Sequence, residues 1–497
     1  MGKERVVRIL AGLGAGVNYG VHANNLQNLM RGITERVLYV VRGGCLSKVP
    51  QPLEGVFAQR LGKLRGRLVR RMPPTPIVDI QDFPELYTGR KRAVYQRAAD
   101  SLLVRGVSKA DSFVSTFLKA EKINFSAKAD PAPRVIQPRA PRYNVMVGRY
   151  LKLFEKQVFA AFHREFRYPV VLKGLNAQQV GGWMADHWAQ FSKPCAVGLD
   201  ASRFDQHVSQ QALQFEHSFY NAAFQSRELR QLLSWQLRNK GIARTPGWRL
   251  DYLTDGCRMS GDMNTGLGNC ILMACMVIGY CEQAGLKYRL ANNGDDCVVF
   301  IESADLPRLD GIDRWMLDFG FTLTREDAVY ELEKVVFCQA QPVLTDSGWR
   351  MVRDPFTAMS KDCVSLVSWD KEVDVRYWAT AIGKCGYSLT CGVPVWEAWY
   401  GQLLRLGGGV EARGVDDEVN RCGMSYMARG VIGCDITDEA RVSFWRAFGV
   451  LPDAQIALEH HYAQPMAVDF QVRPMMVSPI ITLDRANNPL SNHEESG

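Results

Sequence analysis

Four aspartates in two short stretches carry most of the chemistry this sequence offers: Asp200 and Asp205 in GLDASRFD, and Asp295 and Asp296 in NNGDDCVV. Adjacent carboxylates repel, and this pair runs directly into CVVF, a strand suited to burial, so a counter-cation is needed to resolve the conflict. Asp200 and Asp295 together would present hard oxygen ligands suited to Mg²⁺, which keeps waters and recruits phosphate oxygens. Two such ions stabilise the attacking and leaving oxygens of an in-line displacement at phosphorus. A third stretch, SGDMNTGLGN, adds Ser260, Gly261, Thr265 and Asn269, the last two spaced four apart and so on one helix face. Singly these are ordinary caps and turn residues. The information lies in their order: D-x4-D, then S-G-x3-T-x3-N, then G-D-D, within about a hundred residues.

These side chains need particular elements beneath them. PCAVGLDASRFD reads as a buried strand ending in polar residues, and Asp200 and Asp205 fall on opposite faces unless the chain bends after Ala201. Asn293-Gly294 supplies positive φ for a tight hairpin, which puts Asp295 and Asp296 in the turn and at the first position of the return strand. A Gly-rich loop leads into the apolar run CILMACMVIGYC, about half of what spans a bilayer, so no transmembrane helix is expected. FTLT and VVFCQAQPVL add strands around a helix-like ADLPRLDGIDRWMLDFG. Strand, helix, hairpin, helix, strand makes a small α+β sheet with helices behind it.

The chain of 497 residues carries a net charge of +8. Residues 1–150 hold 26 Lys and Arg against 10 Asp and Glu, a net of +16, and the remainder 34 against 42, a net of −8. A basic part beside an acidic part with paired carboxylates suits a polyanion-binding enzyme that uses divalent metals. The basic run RLGKLRGRLVRR reads equally as a solvated helix face or an RNA contact. The 13 cysteines show no CxxC or zinc-type spacing and read as reduced thiols in a cytosolic protein, and no secretory signal is apparent. GLGAG at Gly12–Gly16 lacks the third glycine of a dinucleotide fingerprint, since Val17 and Tyr19 occupy the places where it would fall. His460-His461 reads as a surface pair, and His207 as a cap or packing residue.

GLDASRFD, SGDMNTGLGN and NNGDD, in that order, resemble the palm motifs lettered A, B and C of viral RNA-dependent RNA polymerases. RVIQPRAPRYNVMVGRYLKLFE and VHANNLQNLMRGITERVLYVV are similar to polymerases of the tombusvirus family of plant viruses, near the carmoviruses and umbraviruses. The resemblance covers about residues 20–450. It implies a right-hand fold of fingers, palm and thumb, α+β in class, with an antiparallel palm sheet backed by helices. The implied divisions are fingers and N-terminal region 1–190, palm 191–205, fingers insertion 206–250, palm 251–345, thumb 346–464 and tail 465–497.

By the same resemblance Asp200 and Asp295 ligate two Mg²⁺ ions, with Mn²⁺ as a substitute, and Asp296 assists. Asp205 and Asn269, with Ser260, Gly261 and Thr265 nearby, meet the ribose of the incoming nucleotide, whose 2′-hydroxyl separates RNA from DNA precursors. Arg134, Arg139 and Arg142 match the basic fingers motif that meets the triphosphate, which suits guanidinium geometry. Lys122 and Lys128 extend that patch; apart from the resemblance, Arg90, Lys91 and Arg92 form a basic cluster whose charge alone suits template backbone. Arg325 stands where many such enzymes carry a lysine as general acid, and an arginine does not readily release a proton. Cys338 and Gln339 lie where a strand motif supports the priming end.

The activity so implied is replication of a positive-strand RNA virus genome from ribonucleoside triphosphates on a single-stranded RNA template. The partners implied are template and nascent RNA and a viral auxiliary replication protein. Membrane contact would come only through that partner, at replication complexes in the host cytoplasm, and Met1 need not be a natural start. A metal-dependent nuclease or another nucleotidyltransferase acting on RNA is the rival reading, and a noncatalytic RNA scaffold a third. The nuclease reading needs neither the Asp205/Asn269 pair nor a basic fingers loop, and a scaffold has no reason to keep all three carboxylates beside a hairpin tip.

Overall fold

The computed structural model describes residues 5–410, 424–428, 430–431, 433–464 and 469–473. It is mixed helix and sheet, of α+β class. The central sheet has four strands, β1 (Pro194–Ala201), β2 (Tyr288–Asn293), β3 (Asp296–Glu302) and β4 (Leu323–Arg325), in the antiparallel order β2-β3-β1-β4. β1 and β3 are near-continuous apolar runs rather than alternating ones, as strands buried on both faces are. Cys195–Val197 and Cys297–Ile301 are buried accordingly.

Helix α1 (Thr265–Gln283) packs against β2 and against the helices Val56–Arg71 and Gln210–Phe224. The apolar run extends into a 19-residue helix, long and apolar enough by length and composition to cross a membrane, and 72% of its 18-residue apolar window is buried inside the protein. The basic run forms the helix Val56–Arg71, which buries Val56, Phe57, Leu61, Leu64 and Leu68 at helical spacing. Lys63 and Arg70 on this helix are exposed, while other arginines are engaged within the fold. Arg60 pairs with Asp318, Arg71 with Glu165, and Arg67 with Glu165 and Glu282, so the charges clamp this helix to its neighbours.

A second four-stranded sheet joins Val114–Leu118, Val135–Ile136, Arg238–Thr245 and Trp248–Asp255. Val114–Thr116 runs parallel to Gly241–Ala243, so segments more than a hundred residues apart share one ladder. A further sheet sets the N-terminal strand Val7–Ala11 between Val364–Ser365 and Asp469–Arg473. The expected tail from 465 therefore docks in part on the body, and the rest of it lies outside the described residues. Helices Glu372–Thr390, Trp396–Gly407 and Asp438–Phe448 enclose a separate aromatic core with Trp378, Trp396, Trp399 and Tyr400 fully buried.

Candidate active site

β1 ends as expected: the chain turns after Ala201 through Arg203, held at φ 48° in the left-handed region, and re-enters a short helix, Phe204–His207. A non-glycine residue there is strained. Arg203 is fixed by hydrogen bonding to the Glu35 carbonyl, and Ser202 N–H donates to Thr322 O at 2.9 Å. Asp200 thus ends a strand and Asp205 opens a helix.

The β2-β3 hairpin differs in its turn. Asn293 is the last residue of β2, paired with Asp296, and only Gly294 has positive φ, at 77°. Gly294 and Asp295 are thus the two loop residues, the glycine at the first central position as a II′-type turn requires. The tip is pinned from three sides: Asn292 Nδ2 donates to Gly294 O at 2.8 Å, Gly294 N–H donates to Cys270 Sγ at 3.2 Å, and Asn293 Nδ2 donates to Cys338 Sγ at 3.3 Å. Cys338 and Gln339 occupy a tight turn at φ 51° and 61°, which sets the Cys338 sulfur against this tip.

Asp296 lies directly opposite Asp200 in register, with Asp295 beside them in the turn. All three are exposed. Dehydration at this edge, the neighbouring Asp295 and, more weakly, Asp200 and Glu326 push Asp296 up to about 6. Asp295 is raised by dehydration and by Asp200, against the lowering field of Arg134. Glu326, which the sequence reading passed over, is raised by dehydration and by Asp200. Its carboxylate lies across β1 where a Cβ on Gly198 would meet Glu326 Oε2 at 1.9 Å.

The donors are all carboxylates, held up by one another rather than paired, which is the chemistry that a hard divalent cation fits. Among the described residues no group of three or more His, Cys, Asp or Glu side chains closes on a metal position as it stands.

Beside this edge the expected ribose pair is joined. Asn269 Nδ2 donates to Asp205 Oδ1 at 2.8 Å. Burial raises the Asp205 carboxyl, opposed by Asn269 and Arg258, while Asp295 raises it and Arg134 lowers it. The other residues of this loop hold it in place. Ser260 Oγ donates to Val135 O at 3.2 Å and Thr265 Oγ1 to Met259 O at 2.9 Å. Gly261 runs alongside Pro138, where a Cβ would stand 2.6 Å from the Pro138 backbone.

The three arginines separate. Arg134 is exposed, contacts Glu121 at 3.4 Å and acts on Asp205 and Asp295. Arg139 is 3% exposed and bonds Asp262, Ser112 O at 2.6 Å and Asn239 Oδ1 at 2.7 Å. Arg142 is held by Asp111 at 3.2 Å, Ser101 Oγ at 2.7 Å and Gly106 O at 2.8 Å. The expectation of three triphosphate contacts narrows to Arg134, because the donors of the other two are engaged within the protein. Arg36 lies within the fields of both Arg134 and Arg203, and burial together with those two arginines pushes it down to about 10.

The remaining expected residues fall elsewhere. Lys122 donates to Lys361 O at 3.3 Å, and Lys128 is exposed. Arg90, Lys91 and Arg92 are exposed, with Arg92 bonded to Glu85 and Lys91 over Tyr87. Arg325 pairs with Asp310 at 2.6 Å. His207 is buried between Arg203 O and Thr322, and His460 and His461 are exposed on the helix Pro452–Ala463.

The family model for viral RNA-dependent RNA polymerase matches residues 1–468. The chain is 46% identical over 467 residues to the RNA-directed RNA polymerase of Turnip crinkle virus, covering 93% of this chain and 60% of that protein. It is 43% identical over 461 residues to that of Carnation mottle virus, covering 92% and 60%. It is 41% identical over 475 residues to that of Tobacco necrosis virus strain D, covering 93% and 65%. The chain thus spans about three fifths of the length of these relatives. Family model and relatives agree: the chain belongs to the viral RNA-dependent RNA polymerases, among those of the tombusvirus and carmovirus group.

Proposed function

We propose that this chain carries out template-directed RNA synthesis from ribonucleoside triphosphates, replicating the genome of a positive-strand RNA plant virus. The observation that carries the reading is the junction at the end of β1. Asp200, Asp295 and Asp296 meet across the hairpin register, and the Asn269–Asp205 hydrogen bond lies within electrostatic reach of Asp295. The β2-β3-β1-β4 sheet is the palm on this reading. Residues 1–190 and 206–250 supply the fingers, although the hairpin strand there runs on to Asp255, and 346–464 supply the thumb.

Asp200 and Asp295 hold divalent metal, with Asp296 in support and Glu326 alongside. Bound there, Mg²⁺ or Mn²⁺ would neutralise the oxygens that attack and leave at phosphorus. Arg134 approaches the triphosphate, with Arg36 in its neighbourhood, and Asp205 accepts from a ribose hydroxyl. Ser260, Gly261 and Thr265 keep the loop closed on the Arg134-bearing segment. Template and nascent RNA are the macromolecular partners, held chiefly through backbone charge. An auxiliary viral replication protein brings the chain to membrane-associated complexes in the host cytoplasm.

The test is incorporation of labelled ribonucleotides on a single-stranded RNA template with Mg²⁺, comparing the chain with Asp295→Asn. Template-dependent product is expected from the first, falling by roughly a hundredfold or more in the second. Equal product from both overturns the site.

A further inference from the structure

The Asn269 amide has two orientations of nearly equal shape, and only one of them donates to Asp205. Asn269 Oδ1 accepts from Arg258 Nε at 3.2 Å. A guanidinium has no acceptor, so it can face only the amide oxygen, which forces Nδ2 toward Asp205. Arg258 is itself held: it is 0% exposed and paired with Glu216, also 0% exposed. Glu216 Oε1 further accepts from Tyr220 OH at 2.7 Å and from Asn264 Nδ2 at 2.6 Å, and Gln236 Nε2 donates to Asn264 Oδ1 at 3.0 Å. Arg258 N–H also donates to Asp205 O at 2.8 Å, so one residue fixes the backbone of Asp205 and the amide that meets its side chain.

We propose that the buried Glu216–Arg258 pair is a positioning unit for sugar discrimination: it locks the Asn269 amide so that one oxygen of Asp205 is occupied and the other is presented to the 2′-hydroxyl. This rests on the polymerase reading and deepens it. An unlocked amide would turn its oxygen toward the carboxylate and disturb the acceptor that separates ribose from deoxyribose. The pair also explains a glycine in the loop-to-helix stretch. A Cβ on Gly268 would lie 2.3 Å from an Arg258 Nη and 2.4 Å from the Glu216 carboxyl carbon. Gly268→Ala therefore pushes on the pair from outside while leaving Asp205 and Asn269 unchanged.

The test measures kcat/KM for ATP and for dATP on an RNA template with the wild type, Arg258→Lys, the double variant Glu216→Gln/Arg258→Gln, and Gly268→Ala. Lysine keeps a cation beside Glu216 yet lacks the fork that serves two acceptors at once. The double variant removes both charges together, so neither is left buried alone. The ATP-to-dATP ratio is expected to fall by about tenfold or more in each variant, with dATP use largely retained. An unchanged ratio, or equal losses for both nucleotides, overturns the proposal. Displacement of a fluorescent ATP analogue by ATP or dATP reads the same ratio as binding, without turnover. If the wild type makes no RNA while this binding ratio falls in the variants, the polymerase reading fails and the positioning role stands. An unchanged binding ratio removes the positioning role whatever the synthesis assay shows.

Discussion

Asp262 and Glu216, beside the start of α1, each face a guanidinium in a fully buried pair, whereas Asp200, Asp295 and Asp296 at the hairpin edge face mainly one another. Both groups are made of ordinary carboxylates. The first group is complete: its charges are cancelled and its oxygens accept from named donors. The second is left with excess negative charge that the protein does not cancel. Paired carboxylates hold the scaffold, and uncancelled ones are the part of the fold that expects something else to arrive.

The sharpest way to test that division is to remove one charge from each group. Arg139→Met strands Asp262 in the interior, and stability measured by urea unfolding should fall by about 3–5 kcal/mol. Asp295→Asn should leave the same unfolding curve unchanged or shift it toward higher urea. A fall in stability for Asp295→Asn comparable with that of Arg139→Met would erase the distinction.

A smaller effect separates the groups by pH. Asp296 is pushed from 3.8 to about 6 in the folded chain, so between those values the native state binds more protons than the unfolded state. Its contribution to stability is therefore present below about pH 4 and lost as pH rises toward 6. Read as the difference between the chain and Asp296→Asn in the absence of divalent metal, thermal stability should decline across that window. Mg²⁺ should restore it at pH 7 more than at pH 4.5. A difference that grows with pH, or Mg²⁺ protection independent of pH, would contradict the picture.

The smallest effect belongs at the surface. Arg325→Ala breaks only the solvent-facing pair with Asp310, so stability should change by less than about 1 kcal/mol. Nucleotide incorporation should stay within a few-fold. A loss of a hundredfold would show that Arg325 belongs to the reacting edge rather than to the periphery.

What was legible in the sequence was local. The bend after Ala201 and the placement of Asp295 and Asp296 around the hairpin turn follow from short-range rules of strand alternation and turn chemistry, whereas the pairing of Asn269 with Asp205, 64 residues apart, was implied only by the resemblance of the motifs. Only the turn type slipped, because Gly294 alone supplies the positive φ that Asn293 was expected to share. What stayed hidden was long-range pairing. Arg139 sits in a proline-punctuated stretch that reads as an exposed loop, and its partner Asp262 is 123 residues away. Arg258 finds Glu216 at a separation of 42. The arginines of the helix Val56–Arg71 likewise meet Asp318, Glu165 and Glu282 from other elements. Nothing in the spacing of one charge announces a distant opposite one, so a run of basic residues reads the same whether it meets RNA, water or its own fold. Glu326 was missed for the related reason that its neighbour Arg325 was judged by position in a pattern, while the space it fills is set by Gly198 on another strand.

The contact between Gly198 and Glu326 ties a strand residue to the charge of the site. Any side chain at 198 would collide with a carboxylate that arrives from 128 residues further on, and Glu326 can lie flat only because 198 has none. The constraint is one-sided: a shorter residue at 326 leaves Gly198 untouched, whereas a side chain at 198 displaces Glu326. The atoms met first are the far end of a flexible side chain, so a residue larger than glycine at 198 would swing the acid away from Asp200 before it strained the sheet, and the glycine thereby holds Glu326 at the carboxylate edge.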